Sequence, residues 1–187
     1  MKHTLLTLGV LIGAMQLAIA EPYSVDYSKS KVEFSGMHAG NAFTGIFKEW
    51  KSDIDFNFDA PEESQLNATF QLESAETGST MYDGTLPTAD WFDVSNTPEG
   101  TFKSTSIQEV RAGQYQADGI LTLKGKALPV SFPFTVLTAK ESSEKKYYSV
   151  NAEFSLNRLD YGIGEKSDPS LEWVDNKIVI KLQIIAH

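Results

Sequence analysis

The sequence contains no cysteine in 187 residues. That excludes a disulfide framework, thiol catalysis and zinc knuckles. Positive charge is scarce: 16 basic side chains stand against 25 acidic ones, a formal net charge of −9. Such a chain is repelled by the phosphates of nucleic acid and does not adhere broadly to anionic lipid. No apolar run reaches the roughly 20 residues that span a bilayer comfortably. The G-x-S-x-G elbow, the H-E-x-x-H helix, the P-loop and the dinucleotide fingerprint are all missing. What remains is 41% apolar and 11% aromatic. That is enough for a packed core, and it argues against wholesale disorder.

The first twenty residues read as a separate object. Met1-Lys2-His3 is a short positive start, Leu5 to Leu17 is mostly apolar, and Ala18-Ile19-Ala20 fits a small-x-small cleavage site. This is the pattern of a secretory signal peptide. We therefore expect residues 1–20 to be cleaved, residues 21–187 to form one domain, and the product to be exported to the periplasm. Lacking cysteine, the exported fold must be stable without crosslinks.

The rest alternates apolar and polar with period two, the mark of half-buried strands. Val32, Phe34 and Gly36 share one parity; so do Ile54, Phe56 and Phe58, then Leu66, Ala68, Phe70 and Leu72. The same holds for Tyr115, Ala117, Gly119, Leu121 and Leu123, and for Leu128, Val130, Phe132, Phe134 and Val136. Tyr148 to Leu156 and Ile178 to Ile184 complete the set, and Phe43–Phe47 and Phe102–Val110 are weaker candidates. Short gaps such as Ala112-Gly113 and Lys124-Gly125 read as hairpins, giving an antiparallel meander of eight or nine strands. One dry face suits either a barrel, which has no edges, or a sandwich. Ser74 to Ser95 and Arg158 to Asp175 are too long for hairpin turns. They are expected to carry one or two short helices and to lie where lids and binding loops sit.

Two sets of candidate residues need weighing. Asp53, Asp55, Asn57 and Asp59 resemble calcium ligands, but neither a loop glycine nor a closing glutamate follows. They read as a solvated strand face, and no metal is expected. His38 continues the inward parity of Phe34 and Gly36, which fits a structural histidine or a ligand contact. On the proposed inner face, large rings at Phe34, Phe56, Phe58, Phe70, Phe132, Phe134 and Phe154 alternate with small residues at Gly36, Ala68, Ala117, Gly119 and Ala152. Either the small residues leave a tunnel between aromatic walls, or large and small interlock into a filled core.

Five motifs in order resemble the YceI-like family of periplasmic proteins. They are Tyr23-Ser24-Val25-Asp26 with Ser30 to Phe34; Phe34 to His38 with Gly45-Ile46-Phe47; and Thr77-Gly78 through Asp83 to Asp90-Trp91-Phe92-Asp93-Val94. Gly119 to Gly125 and Arg158 to Gly164 follow. The resemblance implies an all-β fold: an extended, antiparallel, eight-stranded, lipocalin-like barrel. It implies a non-enzyme that holds a long isoprenoid or other lipid chain in an apolar tunnel, with no cofactor. The expected ligand contacts are the rings above with Gly36, His38, Ala117, Gly119 and Leu121. Trp91 and Phe92 join them from the long loop, with Asp83, Arg158 and Asp160 as candidate polar groups at the mouth. Arg158 and Asp160 equally suit a structural ion pair.

The Arg-Asp pair and the histidine that many members carry near Tyr82-Asp83-Gly84-Thr85 are not matched here: Tyr82 replaces the arginine. Together with Trp91-Phe92 and Trp173-Val174, this resembles a branch found beside membrane b-type cytochromes. It favours a quinone or another neutral isoprenoid over a diphosphate. A small hydrolase or isomerase acting in the same cavity, and a stress-related protein with a filled core, are the rival readings. An exposed Trp91-Phe92 face would suit a lid or a homodimer contact.

Overall fold

The computed structural model describes residues 23–141 and 146–187, so the leader expected at residues 1–20 lies outside the described residues. The alternating segments form β1 (Lys31–His38), β2 (Asn41–Phe47), β3 (Trp50–Asp55), β4 (Gln65–Gln71) and β5 (Ala75–Glu76). β6 (Glu99–Arg111), β7 (Gln114–Leu123), β8 (Lys126–Glu141), β9 (Lys146–Asn157) and β10 (Lys177–Ala186) follow. All pairings are antiparallel. They form one sheet in the order β3-β4-β6-β7-β8-β9-β10-β1-β2-β5.

The two ends of that order meet. β2 runs into β3 across Lys48-Glu49, and β4 runs into β5 across a 3-10 turn at Leu72–Ser74. The Lys48 N–H donates to the Ser74 carbonyl at 3.2 Å and the Gln71 N–H to the Glu49 carbonyl at 2.9 Å, so the pairing carries through both kinks. With each bent pair taken as one strand, the described residues form the expected eight strands. Because a single sheet curls on itself, the sandwich alternative falls away.

An N-terminal arm, Tyr23–Asp26, seals one end of the seam. Ser24 and His187 exchange backbone hydrogen bonds at 2.9 and 3.0 Å, and the Asp26 N–H donates to Ile185 at 2.8 Å. On its other side, the Tyr23 N–H reaches the Ile54 carbonyl at 3.0 Å. Between the arm and β1 the chain loops out at Tyr27–Lys29. There the Ser52 N–H loses its strand partner and donates instead to the Tyr27 hydroxyl at 3.2 Å.

Two prolines sit inside β8 without breaking it. Lys124 and Gly125 both have positive φ, 47° and 74°, and close the two-residue turn between Leu123 and Lys126. Counting from that hydrogen-bonded pair, Pro129 and Pro133 fall where the N–H would point away from β7. Their missing donors face β9. The β8–β9 ladder starts only at Phe134 and Ala152. The first half of β8 is thus a free edge guarded by proline.

Two sequence expectations need correction. Ile54, Phe56 and Phe58 do not share one strand, because β3 stops at Asp55. The Asn57 side-chain carbonyl accepts from the N–H groups of Asp59 and Ala60 at 3.0 and 3.2 Å, and this turn ends the extended run. Nor do the glycines leave open space directly above them, although Ala68 and Ala152 do face the cavity. A methyl group at Gly36 would meet the Phe43 ring at 2.9 Å, and one at Gly45 would overlap the Phe34 ring. At Gly119 it would sit 2.5 Å from both the Phe102 ring and the Lys103 carbonyl oxygen. The glycines are seats for rings.

Gly119→Ala should therefore destabilise the fold by about 1–3 kcal/mol, because the crowding atom is backbone and cannot swing aside. Urea denaturation would show this as a lowered midpoint with an unchanged slope. A midpoint equal to that of the unaltered protein would contradict it.

Candidate binding cavity

Where the inward rings stop short of one another, a cavity remains. It has a volume of about 210 Å³ open to the centre of a water molecule. Tyr148 at the start of β9 and Arg158 just beyond its end both line it. Ten residue steps separate them, roughly 33 Å of strand, so the cavity follows most of the barrel's length. Inward side chains such as Phe70, Phe154, Leu156 and Ile180 are only half-buried, as expected if the interior is not filled. Apart from tyrosine and tryptophan, the polar residues that line it are Ser52, Asn67 and Arg158. The Ser52 hydroxyl donates to the Asn67 carbonyl at 2.9 Å.

The walls are aromatic. Phe132 on β8 and Phe154 on β9 stack with centroids 4.5 Å apart and planes 12° apart, bridging the strands just below the point where their ladder ends. Phe56 packs edge-on against Tyr115 at 5.1 Å. Tyr23, Phe58 and Tyr148 form a three-ring cluster at the arm end, with centroids 6.4, 5.4 and 5.1 Å apart. Burial, and then the Tyr148 hydroxyl as charge and hydrogen-bond partner, push the Tyr23 phenol above its ordinary pKa. Phe58, 39% exposed, both lines the cavity and opens to solvent. It marks the mouth.

The opposite end is a floor built around Arg158, which is fully buried. Its Nη2 donates to the Asp168 carboxylate at 2.7 Å and to the Val174 carbonyl at 2.8 Å; its Nη1 donates to the Ile163 carbonyl at 2.8 Å. The Trp91 ring covers the guanidinium at 5.6 Å. Asp168 in turn accepts from the N–H groups of Glu172, Trp173 and Val174 at 2.8, 3.3 and 2.8 Å. Burial alone would push its carboxyl up. The three backbone N–H groups and then Arg158 outweigh that and hold it below the usual carboxylate range. Asp90 joins the second long loop to the floor, accepting from the N–H groups of Lys166 and Ser167 at 2.9 and 2.8 Å.

The residues expected to bind ligand divide into two groups. Phe34, Phe56, Phe58, Phe70, Leu121, Phe132, Phe134 and Phe154 line the walls or the mouth, and Trp91, Phe92 and Arg158 line the floor. Gly36, Ala117 and Gly119 do not line it: the glycines lie beneath rings, and Ala117 is fully buried in the wall. His38 does not line it either. Its Nδ1 is 3.0 Å from the Tyr82 hydroxyl, on the short helix α1 (Thr80–Thr85). Asp83 accepts from the backbone N–H and the hydroxyl of Thr77, both at 2.7 Å, and these bonds hold its carboxyl below the ordinary range. It braces a loop and is not at the mouth.

Arg158 does not pair with Asp160, which accepts from the Asn157 amide at 3.2 Å. The 3-10 turn Arg158–Tyr161, ended by Gly162 at φ 70°, folds the chain back so that Asp168 meets the guanidinium. The Asp168-Pro169 pair, a turn signal, was the available hint. Phe92 is buried and Trp91 half-buried, so they present no exposed face for a dimer. Phe43, Phe47 and Phe102 also line the cavity.

Together these features define an up-and-down antiparallel barrel, unpaired along the first half of β8, curled around an apolar cavity. The model of the YceI-like domain matches residues 23–186, and the chain belongs to that family. It is 31% identical over 174 residues to a UPF0312 protein of Ectopseudomonas mendocina, covering 88% of this chain and 87% of that one. Among solved structures it resembles BcnA of Burkholderia cenocepacia, with a TM-score of 0.81 and 26% identity, covering 88% of this chain and 100% of that one. It also shares the fold of a polyisoprenoid-binding domain from Saccharophagus degradans implicated in plant cell wall breakdown. There the TM-score is 0.65 at 13% identity, covering 88% of this chain and 97% of that one.

Asp168→Ala should cost about 3–5 kcal/mol, because it leaves a buried guanidinium without its counter-charge. The Asp168 carboxyl has a lower pKa folded than unfolded. Its contribution is therefore complete above the ordinary value of about 4 and is lost as pH falls from there toward the folded value. Denaturation midpoints measured from pH 7 downward should show that acid decline in the unaltered protein and a shallower one in the variant.

Proposed function

We propose that the protein binds and carries a long, uncharged apolar chain, an isoprenoid of polyprenyl or quinone type, in the periplasm. The continuous apolar cavity from Tyr148 to Arg158 carries this reading. Burying such a chain removes apolar surface from water at roughly 25 cal/mol per Å². The polyisoprenoid-binding neighbour supports the ligand class. The periplasmic setting is supported by the leader pattern at residues 1–20.

The lining argues for a neutral ligand. Among the described residues its one cation, Arg158, already has Asp168 against it and carbonyls on its remaining side, so a buried diphosphate would find no free counter-charge there. The lining also favours binding over catalysis. The hydroxyl of Ser52 is turned to a backbone carbonyl, and the imidazole of His38 is held outside the cavity by Tyr82.

Mass spectrometry of protein purified from its own periplasm without detergent tests the reading. A stoichiometric apolar adduct, released by solvent, is expected. A bare protein that also refuses prenols and quinones would sink the proposal. In competition, a prenol should displace a bound fluorescent probe at least tenfold better than the matching prenyl diphosphate. Ala68→Phe, which places a ring in the cavity from β4, should weaken uptake tenfold or more while the circular dichroism spectrum stays unchanged.

A further inference from the structure

One stretch of the barrel wall is not held by a backbone ladder. The β8–β9 pairing stops at Phe134 and Ala152. Both strands continue beyond that point toward the floor, β8 over residues 126–133 and β9 over residues 153–157. Carrying the register on would set Pro133 opposite Glu153, Ser131 opposite Ser155 and Pro129 opposite Asn157. These are the positions whose backbone groups face across the gap. All six residues are exposed. Behind them, Phe132 from β8 and Phe154 and Leu156 from β9 line the cavity. Over roughly 13 Å of strand, then, a layer of side chains separates water from the cavity. The Phe132–Phe154 stack is its upper closure.

Two bare strand edges that face each other ordinarily zip together. Here two of the three facing positions on β8 are proline, and their missing N–H groups would have pointed at β9. Protection against foreign strands explains proline on an edge that faces only water. It does not explain why β9, which has no proline in residues 153–157, also goes without a partner there. The other weak seam is bonded: between the arm and β3, the Tyr23 N–H reaches Ile54 and the Tyr27 hydroxyl serves Ser52. Parting β8 from β9 below Phe134 breaks no ladder pair, and segments with few such bonds open at the lowest cost. Both ends of the cavity are firmer. Tyr23, Phe58 and Tyr148 pack against one another at the mouth, and Asp168 holds Arg158 at the floor.

We propose that this slit between β8 and β9 is the passage by which a long apolar chain enters and leaves the cavity, and that Pro129 and Pro133 keep it from zipping shut. The inference rests on the carrier reading and names the route that a carrier needs. A chain fed end-on must pass the three-ring cluster and then slide its whole length toward a closed floor. Through the slit it peels in sideways, and each segment exchanges water for Phe132, Phe154 and Leu156 as it enters.

The chain has no cysteine, so Ser131→Cys with Ser155→Cys adds a single possible crosslink across the slit and leaves the cavity lining untouched. The probe is retinol, an isoprenoid alcohol whose own fluorescence reports binding. It should enter and leave the oxidised variant about tenfold more slowly than the reduced one, with its equilibrium affinity unchanged. Thr135→Cys with Asn151→Cys spans a pair that the ladder already joins, and its oxidation should leave both rates as they were. A second variant decides the matter without a crosslink. Pro129→Val with Pro133→Val restores both donors, so the Ser131 and Ser155 amides should gain protection from hydrogen exchange and retinol exchange should slow. Unchanged rates in the oxidised slit variant, equal slowing by the Thr135–Asn151 crosslink, or a zipped valine variant that exchanges retinol at the unaltered rate would each overturn the passage. Amides that gain no protection in the valine variant would overturn the role given to the prolines. Failure of the unaltered protein to bind retinol, prenols or quinones at all would count against the carrier reading itself, and the passage would fall with it.

Discussion

A single buried guanidinium organises the closed end of this barrel. Arg158 gathers the carbonyls of Ile163 and Val174 and the carboxylate of Asp168, and lies under the Trp91 ring. Two long loops that share little sequence pattern are held in register by these contacts. An isolated charge at such depth would be prohibitively costly. Its neutralisation by Asp168, itself held by three backbone N–H groups, makes the floor possible. The apolar cavity above depends on that arrangement, since a loose floor would admit water to the one charged group that lines it among the described residues.

Aromatic rings and glycines do the complementary work along the walls. A closed eight-stranded barrel has an interior that side chains can just fill. Here the outer edges of the Phe34, Phe43 and Phe102 rings lie over glycines of neighbouring strands. Folding the rings back against the wall keeps the axis open. Interlocking of large and small residues and an open cavity were opposed readings of the sequence. In the structure the first produces the second.

Much of this was legible in the sequence because period two reports directly on which side of a sheet a residue faces. The Phe132, Phe134 and Phe154 walls and the tight Lys124-Gly125 turn could be read that way. The misplaced residues share a physical cause. His38 has inward parity, but parity ends where the strand ends, and α1 supplies Tyr82 there. Phe58 was assigned to a strand that the Asn57 turn interrupts. The Arg158–Asp168 pair joins residues ten apart through a left-handed glycine, a path that neither spacing nor periodicity encodes. Sequence pattern is reliable where the backbone is regular, and the two ends of the cavity are where it is not.

The seam that the arm seals has a temporal consequence. Ser24 is bonded to His187, and β1 to β10, so the N-terminal arm and first strand of the barrel need its last residues. A ribosome makes them in the opposite order of need. Until the final strand emerges, β1 and β9 each lack a neighbour, and the long interval between the partners makes their pairing the slowest contact to form. Barrel closure is therefore a last event: it waits for the C-terminal strand, wherever the chain folds. The proline-guarded half of β8 is a third unpaired border, and unlike the other two it stays open in the finished barrel.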